Sequence, residues 1–408
     1  MTRKITLDQN LKPIVPDRVV IPYIQGDGIG KDIWKAAIPV LDAAVESAYG
    51  GGKAVEWKEL PAGEKGFQQT GEWLPASSVE AIREHRVAVK GPLMTPVGKG
   101  MRSLNVRIRQ ELDLYACIRP VRYYPPVPNP VKHPEKVNIT VFRENTEDLY
   151  AGIECDSSSD NAARLIQFVK DELKCTIPVD SSIGIKPISP GRTKRLVARA
   201  LEYAKAKGLK SVTLMHKGNI MKFTEGYFRK WGYEEAFENF ADDVITEDEV
   251  FEKHGGKIPD SKVMIKDRIA DMVFAEVLLK PENFDVIACP NLNGDFISDA
   301  LAAQVGGLGI APGANVGDEC AVFEATHGTA PDIAGKDMAN PCSLILSGAL
   351  MFDHMGWHEA AGRVRNGVGR ALESRYVTGD LAGGIKDGEE VSCSQFGRIV
   401  AQKILQGA

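Results

Sequence analysis

The chain has 408 residues, 43% hydrophobic and 26% charged, with a formal net charge of −5. That length exceeds one core of ordinary size and that composition excludes a disordered chain, so two or more folded domains are expected. The acidic balance removes any general attraction to nucleic acid or to an anionic membrane surface, and neither is expected as a partner.

The N-terminal stretch "MTRKITLDQNLKPIVPDRVV" has no apolar h-region, so no secretory signal is expected. "RVVIPYIQ" (18–25) reads as a strand, followed by the glycine turn "GDGIGK" and an amphipathic helix over 32–48. Further strands are expected at 53–60 and 86–92, and this alternation of strand, turn and helix predicts α/β layers. "YYPPVPNPVKHP" (123–134) carries five prolines in twelve residues and suits a stiff connector; strand character resumes at 137–145. The 152–186 stretch is weakly periodic and fits a protruding subdomain better than core. A helix over 189–208 and a buried strand at 211–219 follow, then a strand, an Asn-rich turn and a helix over 284–307. Apolar runs such as "SLILSGALMF" are too short to span a bilayer. Seven scattered cysteines form no CxxC, which predicts reduced, mostly buried thiols and a cytoplasmic location.

Several segments invite chemistry. "GDGIGK" lacks the third glycine of a dinucleotide fingerprint, because position 31 is Lys31, and no acid ends a second strand about twenty residues on. A tight strand-to-helix turn explains it better. "HMGWH" places His354 and His358 at zinc-binding spacing, but the glutamate and the third ligand are missing. Arg102, Arg107, Arg109, Arg119 and Arg122, with Arg143 soon after, cluster in an acidic chain and alternate with strand-like apolar residues. Guanidinium forks suit several carboxylates held in fixed geometry, so a small polyanion is the sharper reading against a solvated basic face. Asp295 and Asp299, four apart, share one helix face and offer half of an oxygen site for Mg²⁺ or Mn²⁺. Asp267 adds an acid, and Lys217 stands at a strand end where catalytic groups tend to sit.

Together these segments resemble isocitrate dehydrogenases of the bacterial homodimeric type, in the isocitrate/isopropylmalate dehydrogenase family. The resemblance runs from "IQGDGIG" to "CSQFGRI" and is carried by "KGPLMTPVGKGMRSLNVRIRQELDLYACIRPVRYY", "FRENTEDLYAGIE", "HKGNIMKFTEG", "NLNGDFISDALAAQVGG" and "HGTAPDIAGKDMANP". It implies two α/β domains around a central cleft, distinct from a Rossmann fold, with a small dimerisation clasp. The large domain would take 1–114 and 306–408, the small domain 115–148 and 190–305, and the clasp 149–189. It also implies isocitrate carboxylates on Ser103, Asn105, Arg109, Arg119 and Arg143, and Tyr150 as proton donor. Asp295 and Asp299 would be metal ligands. Lys217, the base, and Asp267, a third ligand, would come from the other subunit of a homodimer with shared active sites. "SLN" at 103–105 favours isocitrate over isopropylmalate, homoisocitrate or tartrate, and the complete residue set argues against a non-catalytic regulatory relative.

The cofactor loop implied by the resemblance contains His327, Gly328, Ala330, Asp332, Ile333, Asn340 and Asp380. NADP-using relatives carry lysine and tyrosine after "HGTAP", where this chain has Asp332 and Ile333. Gly379 and Gly383 likewise stand where those relatives hold a phosphate. An acid facing the ribose predicts an NAD-dependent enzyme that excludes a 2′-phosphate, with an NADP-dependent isocitrate dehydrogenase as the alternative.

Overall fold

The computed structural model describes residues 3–94 and 103–407; Arg102 and the rest of 95–102 lie outside the described residues. An eleven-stranded sheet organises the chain. Its order is Val244–Thr246, Val263–Ile269, Ser211–His216, Val286–Cys289, Asn138–Glu144, Ala116–Arg122, Pro312–Val316, Ala321–Ala325, Val87–Lys90, Arg18–Ile24 and Ala54–Glu59. The first five are mutually parallel, as are the last four. Between them Ala116–Arg122 and Pro312–Val316 pair antiparallel with each other, and each pairs antiparallel with its outer neighbour. With fourteen α-helices among the described residues, the α/β class expected from the sequence holds.

Parallel strands buried on both faces read as continuous apolar runs, and every residue of Val87–Lys90, Ser211–His216 and Val286–Cys289 is buried. Alternate residues on these strands feed different cores. Val87, Val89, Ile287 and Cys289 join one core that continues from Arg18–Ile24 across the sheet to Ser211–His216. Ala88 on one half and Val286 and Ala288 on the other face two separate cores. The sheet is therefore backed continuously on one face and interrupted on the other.

Two local expectations change. Residues 104–111 form a helix, Leu104–Glu111, where the sequence suggested strand-like alternation. Leu104 and Ile108, at i and i+4, are both buried in the core, and burial of that stripe decides for the helical period. The Asn-rich turn after Val286–Cys289 is already helix, which starts at Asn291 directly after Pro290. In the 152–186 segment Glu154–Cys155 pairs antiparallel with Ile183–Gly184, apart from the main sheet. Its helix Asp160–Asp171, capped by the Ser159 side chain, buries only Ala162 and Ile166. All seven cysteines are free thiols, five of them buried.

The zinc spacing at 354–358 comes to nothing among the described residues, where no three metal-binding side chains converge. His354 packs beside Phe323, 5.7 Å between ring centroids, while His358 meets Asp353 at 3.1 Å. Burial and the nearby Arg199 charge push the His354 imidazole down to about 4. An unfolded histidine titrates near ~6.5, so as pH falls the unfolded chain takes the proton first. Stability present above pH ~6.5 is thus lost between there and about 4. Thermal melts across that window are expected to show a steeper fall in Tm for the native chain than for His354→Gln; equal slopes would remove His354 from the acid sensitivity.

Candidate active site

Arg143 pairs with Cys117 across the antiparallel ribbon, which sets Arg119, two residues further on, on the same face. The Asn291–Gln304 helix lies against this face with its two acids one turn apart. Arg143 meets Asp295, and Arg119 Nη1 donates to Asp299 Oδ1 at 2.9 Å and to Ser298 Oγ at 2.7 Å. Arg143 Nε also donates to Asn291 Oδ1 at 2.8 Å. Gly294 makes this approach achievable, since a Cβ there would sit 2.4 Å from Arg143 Cγ.

Arg109 arrives from the Leu104–Glu111 helix and donates to Glu324 Oε1 at 2.8 Å. Glu324 also receives Lys90 Nζ at 2.6 Å and Asn315 Nδ2 at 2.7 Å. Burial alone would raise its pKa, but the Lys90 and Arg109 charges hold it well below the usual carboxylate range. Arg143 is pushed down by burial and by the Arg109 and Arg119 charges. The two helix acids diverge. Asp295 is held low because Arg143, the Tyr150 hydroxyl and Arg119 outweigh its burial, whereas burial and the Asp295 charge keep Asp299 raised despite Arg119.

Tyr150 lies on a short 3₁₀ turn, Asp148–Ala151, and donates its hydroxyl to Asp295 Oδ2 at 2.6 Å. Its ring stacks under Arg143, 4.8 Å away. Burial, then the hydrogen bond to Asp295, raise its pKa and keep the phenol protonated. A cavity of about 180 Å³ opens between Lys90, Asn105, Arg109, Arg119, Glu324 and His327. Four buried polar atoms of the predicted residues have no hydrogen-bond partner among the described residues: Asn105 Oδ1, Arg109 Nε, Arg143 Nη2 and His327 Nε2. Such atoms are costly unless something satisfies them, and three of the four residues, Asn105, Arg109 and His327, line this cavity. Ser103 sits at the start of the Arg109 helix, its side chain free of any capping bond.

Lys217 and Asp267 lie apart from this group, each with partners of its own. Asp267 accepts from Tyr233 at 2.9 Å and lies 3.0 Å from both His216 Nε2 and Arg229 Nε. These contacts overcome burial and drive its pKa down. Lys217 Nζ pairs with Asp271. Neither residue has a contact with the Arg119, Arg143, Asp295 and Asp299 group, so one chain does not bring all the predicted residues together.

The 327–333 loop packs on the first glycine turn. Ile29 N donates to Thr329 O at 2.9 Å, and Gly28, at φ 56°, would place a Cβ 2.0 Å from that oxygen. Burial lowers the His327 pKa, leaving a neutral ring, and Ala330 adopts φ 39° at the head of a 3₁₀ turn. Asn340 Nδ2 donates to Asp380 Oδ2 at 3.0 Å, joining two of the predicted cofactor residues. Sequence reasoning missed Lys90, Asn315 and Glu324. The signal was a lone charge inside an otherwise apolar strand, "VAVK" and "AVFEA".

A family model described as isocitrate/isopropylmalate dehydrogenase matches residues 20–400. A protein of Archaeoglobus fulgidus named isocitrate dehydrogenase (NADP) is 54% identical over 396 residues, 97% of this chain and 95% of the relative. One of the same name from Streptococcus salivarius is 53% identical, covering 94% of this chain and 96% of the relative. A solved isocitrate dehydrogenase from Methylococcus capsulatus superposes with a TM-score of 0.78 at 35% identity, over 95% of this chain and 99% of that one. These names overturn the expectation of an NAD-dependent enzyme with NAD as cofactor. The structure supplies the physical reason. Asp332 is exposed and has no hydrogen-bond or ionic partner among the described residues, while Ile333 turns back against the main core. An exposed carboxylate is screened by water and salt and does not exclude a phosphate as a buried one would. On this breadth of similarity, the chain belongs to the isocitrate/isopropylmalate dehydrogenase family.

Proposed function

We propose that the chain is an isocitrate dehydrogenase that converts isocitrate to 2-oxoglutarate and CO₂ with NADP⁺ as acceptor and a divalent cation, Mg²⁺ or Mn²⁺. The observation that carries this reading is the set of unpaired buried atoms on Asn105, Arg109 and Arg143 beside Arg119 and the Asp295–Asp299 pair. Three guanidiniums fit a tricarboxylate, and an oxygen-only pair of acids fits a hard cation.

Arg109, Arg119 and Arg143, with Ser103 and Asn105, bind and orient the substrate carboxylates. Asp295 and Asp299 hold the cation, with Asp267 of the partner subunit as the third acid. When bound, the cation would supply positive charge to offset the charge developing on the substrate, and NADP⁺ would supply the hydride acceptor. The partner subunit's Lys217 takes the C2 hydroxyl proton. Once the carboxylate on C3 has left as CO₂, its electron pair remains on the enolate, and Tyr150 returns a proton to C3. The high pKa of Tyr150 suits it to hold that proton until then. His327, Gly328, Ala330, Asn340 and Asp380 are proposed to line the cofactor side. We assign the two parallel halves of the sheet to the two domains, with 149–189 as the clasp.

A homodimer with shared sites accounts for the separation of Lys217 and Asp267 from the substrate arginines. It also covers exposed apolar side chains: Ile220 at 69% exposure, Phe223 at 75% and Leu279 at 77%.

Steady-state assays with isocitrate and Mg²⁺ are expected to give a higher kcat/KM with NADP⁺ than with NAD⁺; the opposite ranking would overturn the cofactor assignment. Asp295→Asn should lower kcat about 10³-fold, the several kcal/mol a cation contributes to the transition state, with an unchanged circular dichroism spectrum. Full turnover in excess chelator would defeat the metal assignment. Co-expressing Lys217→Met with Arg109→Ala chains should restore part of the activity that each homodimer lacks. No recovery in an isolated heterodimer would place both residues in one chain's site.

A further inference from the structure

A buried ion triad outside the substrate pocket joins the predicted proton donor to the predicted base. Lys186 lies between two fully buried carboxylates, Asp148 and Glu225, pairing with Asp148 Oδ1 and standing 3.0 Å from Glu225 Oε1. Asp148 takes φ 70°, a left-handed setting that a non-glycine residue keeps only where its surroundings impose it.

Each carboxylate grips catalytic backbone. Asp148 Oδ1 accepts from Leu149 N at 2.8 Å, beside Tyr150, and Oδ2 accepts from Leu292 N at 2.9 Å. Leu292 lies in the first turn of the helix that carries Asp295 and Asp299, whose free amides and dipole favour an anion there. Glu225 Oε2 accepts from the backbone N of Lys217 and from Asn293 Nδ2, at 2.9 Å for the latter. Two carboxylates and one ammonium leave one excess negative charge in a buried space. The amides and Asn293 disperse part of it, while Glu225 Oε1 has no hydrogen bond among the described residues and faces the Lys186 ammonium.

We propose that Lys186 is a positioning residue that sets Tyr150, the acid-bearing helix and Lys217 together, and thereby couples the two active sites of the dimer. The coupling rests on the shared-site reading above: Tyr150 serves its own chain's site while Lys217 serves the partner's. A displacement at Lys186 then disturbs Tyr150 and the acid-bearing helix in one site and Lys217 in the other. No triad residue bonds to Arg109, Arg119 or Arg143 among the described residues, so the larger effect falls on kcat.

The test is Lys186→Met in the full-length dimer with isocitrate, NADP⁺ and Mg²⁺. We expect kcat to fall about 10- to 100-fold with KM for isocitrate changed less than about threefold. A merely structural role would lower Tm with kcat and KM unmoved, and that result overturns the proposal. If Lys186→Met chains fail to fold, Glu225→Gln, which keeps the side-chain shape and removes the charge, is expected to give the same kcat loss; native kcat there overturns it equally. Dimers with Lys186→Met in one chain only should retain clearly less than half of native activity, since both sites carry a misplaced group. Half activity would confine the triad to a single site. The Lys217→Met with Arg109→Ala pairing reads the shared-site arrangement by itself, so failure of that reading and failure of the coupling are told apart.

Discussion

Three guanidinium groups held inside one protein repel one another, and that repulsion is the constraint around which this chain is arranged. Arg109, Arg119 and Arg143 depress or oppose one another's charges across the site, and each is countered by its own carboxylate. Asp295 and Asp299 come from one helix, Glu324 from the far half of the sheet. Lys90 adds a fourth cation that shares Glu324 with Arg109. The balance leaves more positive than negative charge, with unpaired donors pointing inward. Removing one acid would strand a buried cation, a larger penalty than the pair's own attraction. The site therefore depends on both halves of the sheet keeping their relative places.

The antiparallel ribbon supplies that relation. Ala116–Arg122 carries Arg119 and pairs with Asn138–Glu144 of one half and with Pro312–Val316, which pairs in turn with Ala321–Ala325 of the other, so hydrogen bonding is continuous across the junction. One core runs under most of the sheet, whereas the other face is divided between two. This asymmetry gives the site a rigid floor and an interrupted roof, the arrangement in which a polar pocket interrupts burial at least cost.

Much of this was legible in the sequence, and the misses have physical causes. Buried parallel strands announced themselves as apolar runs, and the helix expected over 189–208, found at Pro190–Ala206, by its period and the glycine after it. The arginine segment was harder. Over six residues, alternation fits a strand or a helix equally, and only burial of Leu104 and Ile108 on one core decides. Lys90 and Glu324 went unseen because their pairing spans distant strands, so neither predicts the other locally. Arg119, Arg143, Tyr150, Asp295 and Asp299 do meet, as their motifs implied. The Asp332 reading failed differently: sequence gives the sign of a charge but neither its direction nor its hydration, and an exposed acid decides little.

The pairing of Val87–Lys90 with Ala321–Ala325 has a consequence for synthesis. Lys90 and Glu324, joined in that ladder, are 234 positions apart. At ribosomal speed that interval is roughly 10 to 50 s, during which the first half of the sheet has an unpaired edge and Lys90 no counter-charge. A nascent chain in this interval presents "VAVK" as an open strand, the kind of edge that recruits other chains. The topology that lets two distant strands hold one buried glutamate thus makes the N-terminal half wait for the C-terminal half, and places the chain's exposure to aggregation on the ribosome.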